Sequence, residues 1–253
     1  MVSSRLGIFI TFEGSEGCGK STQIARLAEA LSKENSSYEV VLVREPGGTP
    51  LGEGIRQLLQ HADPSVNIAP EAELLLFAAS RAQLVREVIQ PALERGAIVL
   101  CDRFFDSTTV YQGVARALDS KQVNMINHFS VGGIIPDITF LLDMEATEGR
   151  KRMEERNASS AIVDRMEQEP ETFYEAVRHG YLALAKKEPE RIIIIDAAQP
   201  MDEVAQQISN NLLLQQRKSD QNALMQMQDK ERGAQYRSVE HQSDTVLNCN
   251  SSI

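Results

Sequence analysis

The densest chemistry in this chain is the run Gly14-Ser15-Glu16-Gly17-Cys18-Gly19-Lys20-Ser21, followed by Thr22. It fits the spacing G-x-x-x-x-G-K-[ST], in which glycines let the backbone curl so that N–H groups point inward at phosphate oxygens. Lys20 would reach the β- and γ-phosphates of a bound nucleotide, and the Ser21 hydroxyl could ligate Mg²⁺. A helix opening near Lys20 would add the positive end of its dipole. A second centre is Asp102-Arg103, which closes the apolar run Ala97–Cys101. A carboxylate at the carboxyl end of a buried strand can hold a metal shell in nucleotide-binding folds, although a simple helix cap would look the same in sequence. Arginine recurs at positions 44, 56, 81, 103, 150, 152 and 156. Phosphoryl transfer must neutralise two facing anions, donor and acceptor, and guanidinium forks suit that task.

These residues need elements to position them. Short apolar runs at Gly7–Phe12, Val40–Val43, Ala97–Cys101, Ile138–Leu142 and Ile192–Ile195 read as strands buried on both faces. Helical patterns separate them. Gln23–Lys33 carries one apolar face, Pro70–Arg95 is long with a kink or break expected at Pro91, and Glu171–Lys187 and Met201–Leu214 are amphipathic. Strands alternating with helices predict βαβ units and a parallel sheet. The glycine-rich loop would then lie between the first strand and the first helix, the context in which its spacing means phosphate binding.

Composition narrows the partners. The 253 residues are 42% hydrophobic and 25% charged, with a net charge of −10. Such a chain is neither fibrous nor wholly disordered, and it lacks the broad basic footprint of a nucleic-acid binder. The longest apolar run, Leu74–Ala79, falls far short of the roughly 20 residues a membrane helix needs. Cys18, Cys101 and Cys249 give neither a disulfide framework nor metal-ligand spacing, so with no export signal visible the cytoplasm is the expected compartment. Residues 215–253 contain ten Gln or Asn and five residues of each charge sign. That segment reads as a polar, disordered tail following a folded domain of residues 1–214.

Longer motifs narrow the class. Asn-Lys-x-Asp, expected of a guanine-specific GTPase, does not occur. Ile10–Gly14 with the glycine-rich loop, Arg44-Glu45-Pro46-Gly47-Gly48-Thr49, Phe77-x3-Arg81, Asp102-Arg103-Phe104 with Tyr111-Gln112, and Asp164-Arg165-Met166-Glu167 closely resemble the thymidylate kinase family, in the same order and over roughly residues 5–210. The Arg-Glu-Pro-Gly-Gly-Thr run is far more specific to that family than the phosphate loop. The resemblance implies a P-loop NTPase α/β fold: a five-stranded parallel sheet flanked by helices, with a mobile lid at about 145–165. It also implies transfer of a phosphoryl group from ATP to dTMP with Mg²⁺, and a homodimer.

Residue roles follow from the same resemblance. Gly14 to Thr22 would bind ATP, with Lys20 and Glu16 acting in catalysis. Ser21 and Asp102 would contact the magnesium shell. Phe77 would stack on thymine and Arg81 would hydrogen-bond its edge; their i, i+4 spacing places both on one helix face. Arg103 would hold the dTMP phosphate, Thr108 would lie near the thymine ring, and Glu45 would face the acceptor pocket. Tyr111 would pack under the deoxyribose and exclude a 2′-hydroxyl. Each has a plainer reading as well: core packing for Phe77, a solvated helix face for Arg81, an ordinary helix-face aromatic for Tyr111.

The family divides by where its catalytic arginine sits. One type carries it in the loop at the position of Gly17; the present chain resembles the other, in which lid arginines act. Arg156 aligns best with that arginine and Arg152 second, and a placed guanidinium contributes roughly 10³–10⁵ in rate. The tip at Asn157–Ala161 departs from the shorter, more basic tip of familiar bacterial members. Cys18 lies beside a helix start and Lys20, a setting that favours reactive thiols, and reads either as oxidation-sensitive or as a small loop filler. Two other readings remain at this stage: a deoxynucleoside kinase, which would need a general base, and a P-loop switch or partition ATPase, which would need no acceptor.

Overall fold

A computed structural model describes residues 7–61, 66–157 and 165–214. Five strands form one sheet: β1 (Ile8–Glu13), β2 (Val40–Arg44), β3 (Ile98–Asp102), β4 (Ile138–Asp143) and β5 (Ile192–Asp196). All pairings are parallel, in the order β2-β3-β1-β4-β5. The central strand β1 is buried along most of its length because helices cover both faces, as its near-continuous apolar sequence requires. The edge strand β2 departs from the expected two-sided burial: its Leu42 is exposed. Four of the five strands end on a carboxylate, Glu13, Asp102, Asp143 or Asp196, so acidic groups gather at the carboxyl edge of the sheet.

The helices are α1 (Lys20–Glu34), α2 (Pro50–His61), α3 (Pro70–Leu84), α4 (Gln90–Glu94), α5 (Phe105–Thr108), α6 (Ser120–Val131), α7 (Ala146–Asn157), α8 (Glu171–Lys187) and α9 (201–214). Helix α1 buries Ile24, Leu27 and Leu31, the apolar stripe read from the sequence. The long helix expected over Pro70–Arg95 is interrupted earlier than Pro91. Val85–Ile89 form a wider π-helical turn in which the Gln90 N–H reaches the Val85 carbonyl. Proline lacks an N–H and its ring crowds the preceding turn, so the widening falls just before it. A second π-helical stretch, Thr109–Ala115, continues α5 and carries Tyr111 and Gln112.

Among the described residues, two apolar clusters pack these layers together. Phe9, Phe104, Leu84, Val85 and Ile89 lie between the sheet and the α3–α4 segment, with Phe9 and Phe104 edge to face at 5.0 Å. Tyr111, Leu141, Met166, Val177 and Tyr181 pack under α8. The described residues up to 208 form one compact unit, and residues 209–214, which belong to the next, are helical. The expected tail, the lid tip at 158–161 and Asp164 lie outside the described residues. Arg156 stands on α7, and its side chain is also outside them.

Candidate active site

The glycine-rich loop joins β1 to α1, as its spacing demands. Gly14 has φ 136° and a Cβ there would stand 2.5 Å from the Leu142 carbonyl oxygen; Gly17 has φ 77° and would meet the Gly149 carbonyl oxygen at 2.1 Å. Both positions therefore demand glycine, for conformation and for space. The Lys20 ammonium is held over the loop, donating to the Ser15 carbonyl at 2.8 Å and to the Gly14 carbonyl at 3.2 Å. Cys18 is buried with its sulfur turned toward Gly14 and 3.5 Å from the Lys20 ammonium, which donates to it. Cys101 is also buried, donating to the Arg103 carbonyl, and burial pushes its thiol pKa up.

Across the sheet edge, the Ser21 hydroxyl donates to Asp102 Oδ2 at 2.7 Å. A hydroxyl and a carboxylate side by side are hard oxygen donors. Mg²⁺ characteristically takes one or two such protein ligands and fills its shell with phosphates and water. No cluster of three or more His, Cys, Asp or Glu side chains suited to holding a metal exists among the described residues.

Arg103 is the pivot between the loop and the opposite wall of the site. Its backbone is left-handed, φ 68°, fixed by its N–H donating to the Phe12 carbonyl at 3.0 Å. Such a conformation costs a non-glycine residue about 1–3 kcal/mol and persists where the surroundings over-determine it. Nη2 donates to Glu16 Oε1 at 2.9 Å, and the guanidinium lies 5.2 Å from the Tyr111 ring centroid. The Tyr111 hydroxyl donates to the other Glu16 oxygen at 2.7 Å. Burial disfavours the Arg103 cation, but Tyr111, Glu16 and Tyr181 around it more than compensate, and its pKa stands well above the ordinary arginine value. Burial raises the Tyr111 pKa as well.

Behind this lies a second arginine. Arg81 is 1% exposed, not a solvated helix face. Its Nε donates to Glu45 Oε2 at 2.8 Å, Nη1 to Asn127 at 3.1 Å and Nη2 to the Thr108 hydroxyl at 2.9 Å. Glu45 is buried, one of its oxygens has no partner, and burial raises its pKa to about 7 despite Arg81. Phe77, one turn before Arg81 on α3, is only half-buried.

One cavity of about 240 Å³ joins the two sides. From the loop side it is lined by Glu16, Gly17, Lys20, Ser21, Asp102 and Arg103, and from the opposite side by Glu45, Phe77, Arg81, Thr108 and Tyr111. Arg152 is elsewhere, paired with Glu148 and donating to the Ala197 carbonyl. The cavity also takes in residues with no assigned role in the sequence reading. Arg44 and Arg56 line it, and so do Gln112, Ser107 and Met166. The two arginines did stand out by residue type; Gln112 stood out only as part of a motif.

A nucleotide-type phosphate loop on the central strand of this sheet, facing a pocket walled by arginine and aromatic side chains, defines a P-loop NTPase fold built for phosphoryl transfer. Residues 12–208 match the family model described as thymidylate kinase. The chain is 50% identical over 201 residues to a thymidylate kinase of Desulfosudis oleivorans, covering 78% of this chain and 92% of that one. It is 47% identical over 202 residues to a thymidylate kinase of Deinococcus radiodurans, covering 80% and 94%. The crystal structure of thymidylate kinase from Ehrlichia chaffeensis superposes with a TM-score of 0.66 at 34% identity, over 81% of this chain and 98% of that one. The chain belongs to the thymidylate kinase family.

Proposed function

We infer that this chain transfers the terminal phosphoryl group of ATP to dTMP, giving dTDP and ADP. The observation that carries the reading is the single cavity in which the phosphate loop and an arginine- and aromatic-walled acceptor pocket face each other. The loop N–H groups and Lys20 would hold the donor phosphates. The Arg103 guanidinium, charged throughout the physiological range, would hold the acceptor phosphate. An acceptor phosphate is already an oxyanion at neutral pH, so no general base is required and catalysis reduces to alignment and charge neutralisation.

Phe77 would offer its half-buried ring to the thymine face, while Arg81 and Thr108 close the pocket at the base edge. Because the Thr108 oxygen already accepts from Arg81, its own proton is free to be donated. Tyr111, tied down by Glu16, would fill the space a 2′-hydroxyl needs. Ser21 and Asp102 would hold Mg²⁺, which when bound screens the donor phosphate charge. Arg156 on α7 would supply the lid guanidinium. The enzyme would act as a cytoplasmic homodimer. Exposed apolar side chains on the neighbouring helices α2, α3 and α6 support the dimer, and unpaired Cys18 and Cys101 fit a reducing compartment. No described helix is long and apolar enough to cross a membrane.

The test is ADP release with Mg²⁺ and ATP across dTMP, dUMP, UMP, dCMP, AMP and thymidine. Strong turnover with dTMP, weaker turnover with dUMP and none with UMP is expected. Turnover with thymidine but not dTMP would make the protein a nucleoside kinase, and release independent of any acceptor would make it a nucleotide switch.

A further inference from the structure

Beneath Arg103 lies a carboxylate that the proposed chemistry leaves unused. Glu13, the last residue of β1, is wholly buried and has no ion-pair partner within salt-bridge distance among the described residues. It accepts three hydrogen bonds: from the Phe104 N–H at 2.7 Å, the Ser107 hydroxyl at 2.6 Å and the Tyr181 hydroxyl at 2.7 Å. Both hydroxyls reach the same oxygen, Oε2. Each also accepts from Arg103 Nη1, at 3.2 Å for Ser107 and 3.3 Å for Tyr181. The two hydroxyl oxygens lie 2.8 Å apart, squeezed between an anion and a cation.

The polarity of this bridge follows from counting protons. Each hydroxyl has one, and an ionised carboxylate can only accept. With both protons directed to Glu13, the lone pairs of Ser107 and Tyr181 are turned on Nη1. The Gly14 carbonyl accepts from the same nitrogen at 2.9 Å. The two hydrogens of Nη1 are thus consumed by three acceptors. Glu16 takes one hydrogen of Nη2. Among the described residues, Nε–H and one Nη2 hydrogen are left over, two donors that a phosphate can engage.

We propose that Glu13 is a positioning residue for phosphoryl transfer: acting through the Ser107 and Tyr181 hydroxyls, it fixes the rotation of the Arg103 guanidinium so that its Nε–Nη2 edge faces the acceptor phosphate. A neutral group at position 13 would present a hydrogen of its own and force one hydroxyl to turn its proton toward the cation. The guanidinium would then rotate off its acceptors. Burial, with Asp106 nearby, raises the Glu13 pKa, whereas Arg103, Ser107 and Tyr181 hold it down; the anion therefore depends on the same groups that it orients. This inference rests on the reading of Arg103 as the acceptor-phosphate residue.

The test compares dTMP with thymidine, which lacks the phosphate, by calorimetric titration of the full chain carrying Glu13→Gln, Tyr181→Phe, Ser107→Ala or Arg103→Ala. Glu13→Gln and Tyr181→Phe are expected to weaken dTMP binding about tenfold or more, the scale of a lost hydrogen bond to a charged group, with thymidine affinity unchanged within about twofold. Equal weakening of dTMP and thymidine, or unchanged dTMP binding in either folded variant, would overturn the proposal. If Glu13→Gln fails to fold, Tyr181→Phe and Ser107→Ala carry the same comparison. Arg103→Ala separates the layers. If it leaves the preference for dTMP over thymidine intact, the reading of Arg103 itself fails; if it abolishes that preference while the other variants keep it, only the role of Glu13 fails.

Discussion

Gly17 and Gly149 meet backbone to backbone: a Cβ on Gly17 would lie 2.1 Å from the Gly149 carbonyl oxygen, and one on Gly149 would lie 2.7 Å from the Glu16 carbonyl oxygen. The phosphate loop and helix α7 are in contact only because neither position has a side chain. An arginine at position 17 and this seating of α7 exclude each other sterically. Gly149 is helical without a positive φ, so alanine there carries no backbone penalty and tests the contact alone. Gly149→Ala is expected to raise the KM for ATP several-fold with little change in dTMP binding. Gly17→Ala adds an unfavourable φ, costing about 1–3 kcal/mol in a urea unfolding experiment. A Gly149→Ala enzyme with wild-type ATP kinetics would show that the seat is irrelevant to the donor site.

Phe77 distinguishes stacking from core packing. Removing a buried core phenylalanine costs about 3–5 kcal/mol. Phe77 is half-buried and faces the cavity, so Phe77→Ala should cost about 1 kcal/mol or less in stability. The KM for dTMP should rise by about tenfold, the value of one stacking contact. The reverse pattern, a large drop in melting temperature with dTMP kinetics preserved, would return Phe77 to the core.

The parts of the site legible in the sequence are those whose residues are close in the chain. The phosphate loop, Arg44–Thr49 and the Phe77–Arg81 pair each lie on one turn or one loop, so spacing alone encodes their geometry. The Glu13 network is of another kind: Ser107 lies 94 residues from Glu13 and Tyr181 lies 168 residues away. Only the crossing of α5 and α8 over the end of β1 brings them together, and no local pattern records that. Glu13 did carry the signal that marked Asp102, a carboxylate ending a buried strand. The π-helical turn around Tyr111 and Gln112 was hidden for a different reason, because its residues would suit an ordinary helix equally well.

Glu45 ties stability to pH. Its pKa is near 7 in the folded protein against 4.5 for the free side chain, chiefly because burial disfavours the charge. The folded state therefore holds a proton that the unfolded chain releases. Stability from this group is fully present below pH 4.5 and is lost as pH rises to about 7, a change of about 3 kcal/mol. Glu45→Gln removes the titration while leaving Glu13 and Asp106 in place. Urea unfolding at several pH values should give a wild-type curve that falls across this window and a flatter variant curve. Parallel curves would mean that Glu45 ionises normally beside Arg81.

The dimer prediction rests on α6. Phe129 is 86% exposed and Met125, one turn earlier, is 66% exposed. Leu75 on α3 and Leu58 on α2 are exposed too, and α3 packs against both α2 and α6. Large exposed apolar side chains on helices that pack against one another are candidates for an association surface. Two copies facing each other through this region would bury it by two-fold symmetry, the commonest arrangement for a small enzyme. Phe129→Glu with Met125→Glu would place four like charges across such an interface. Light scattering should then report twice the chain mass for the wild type and a single chain mass for the double variant. None of these side chains lines the active-site cavity, so the variant should still bind dTMP. A wild-type protein that scatters as a single chain would leave this patch without its proposed partner.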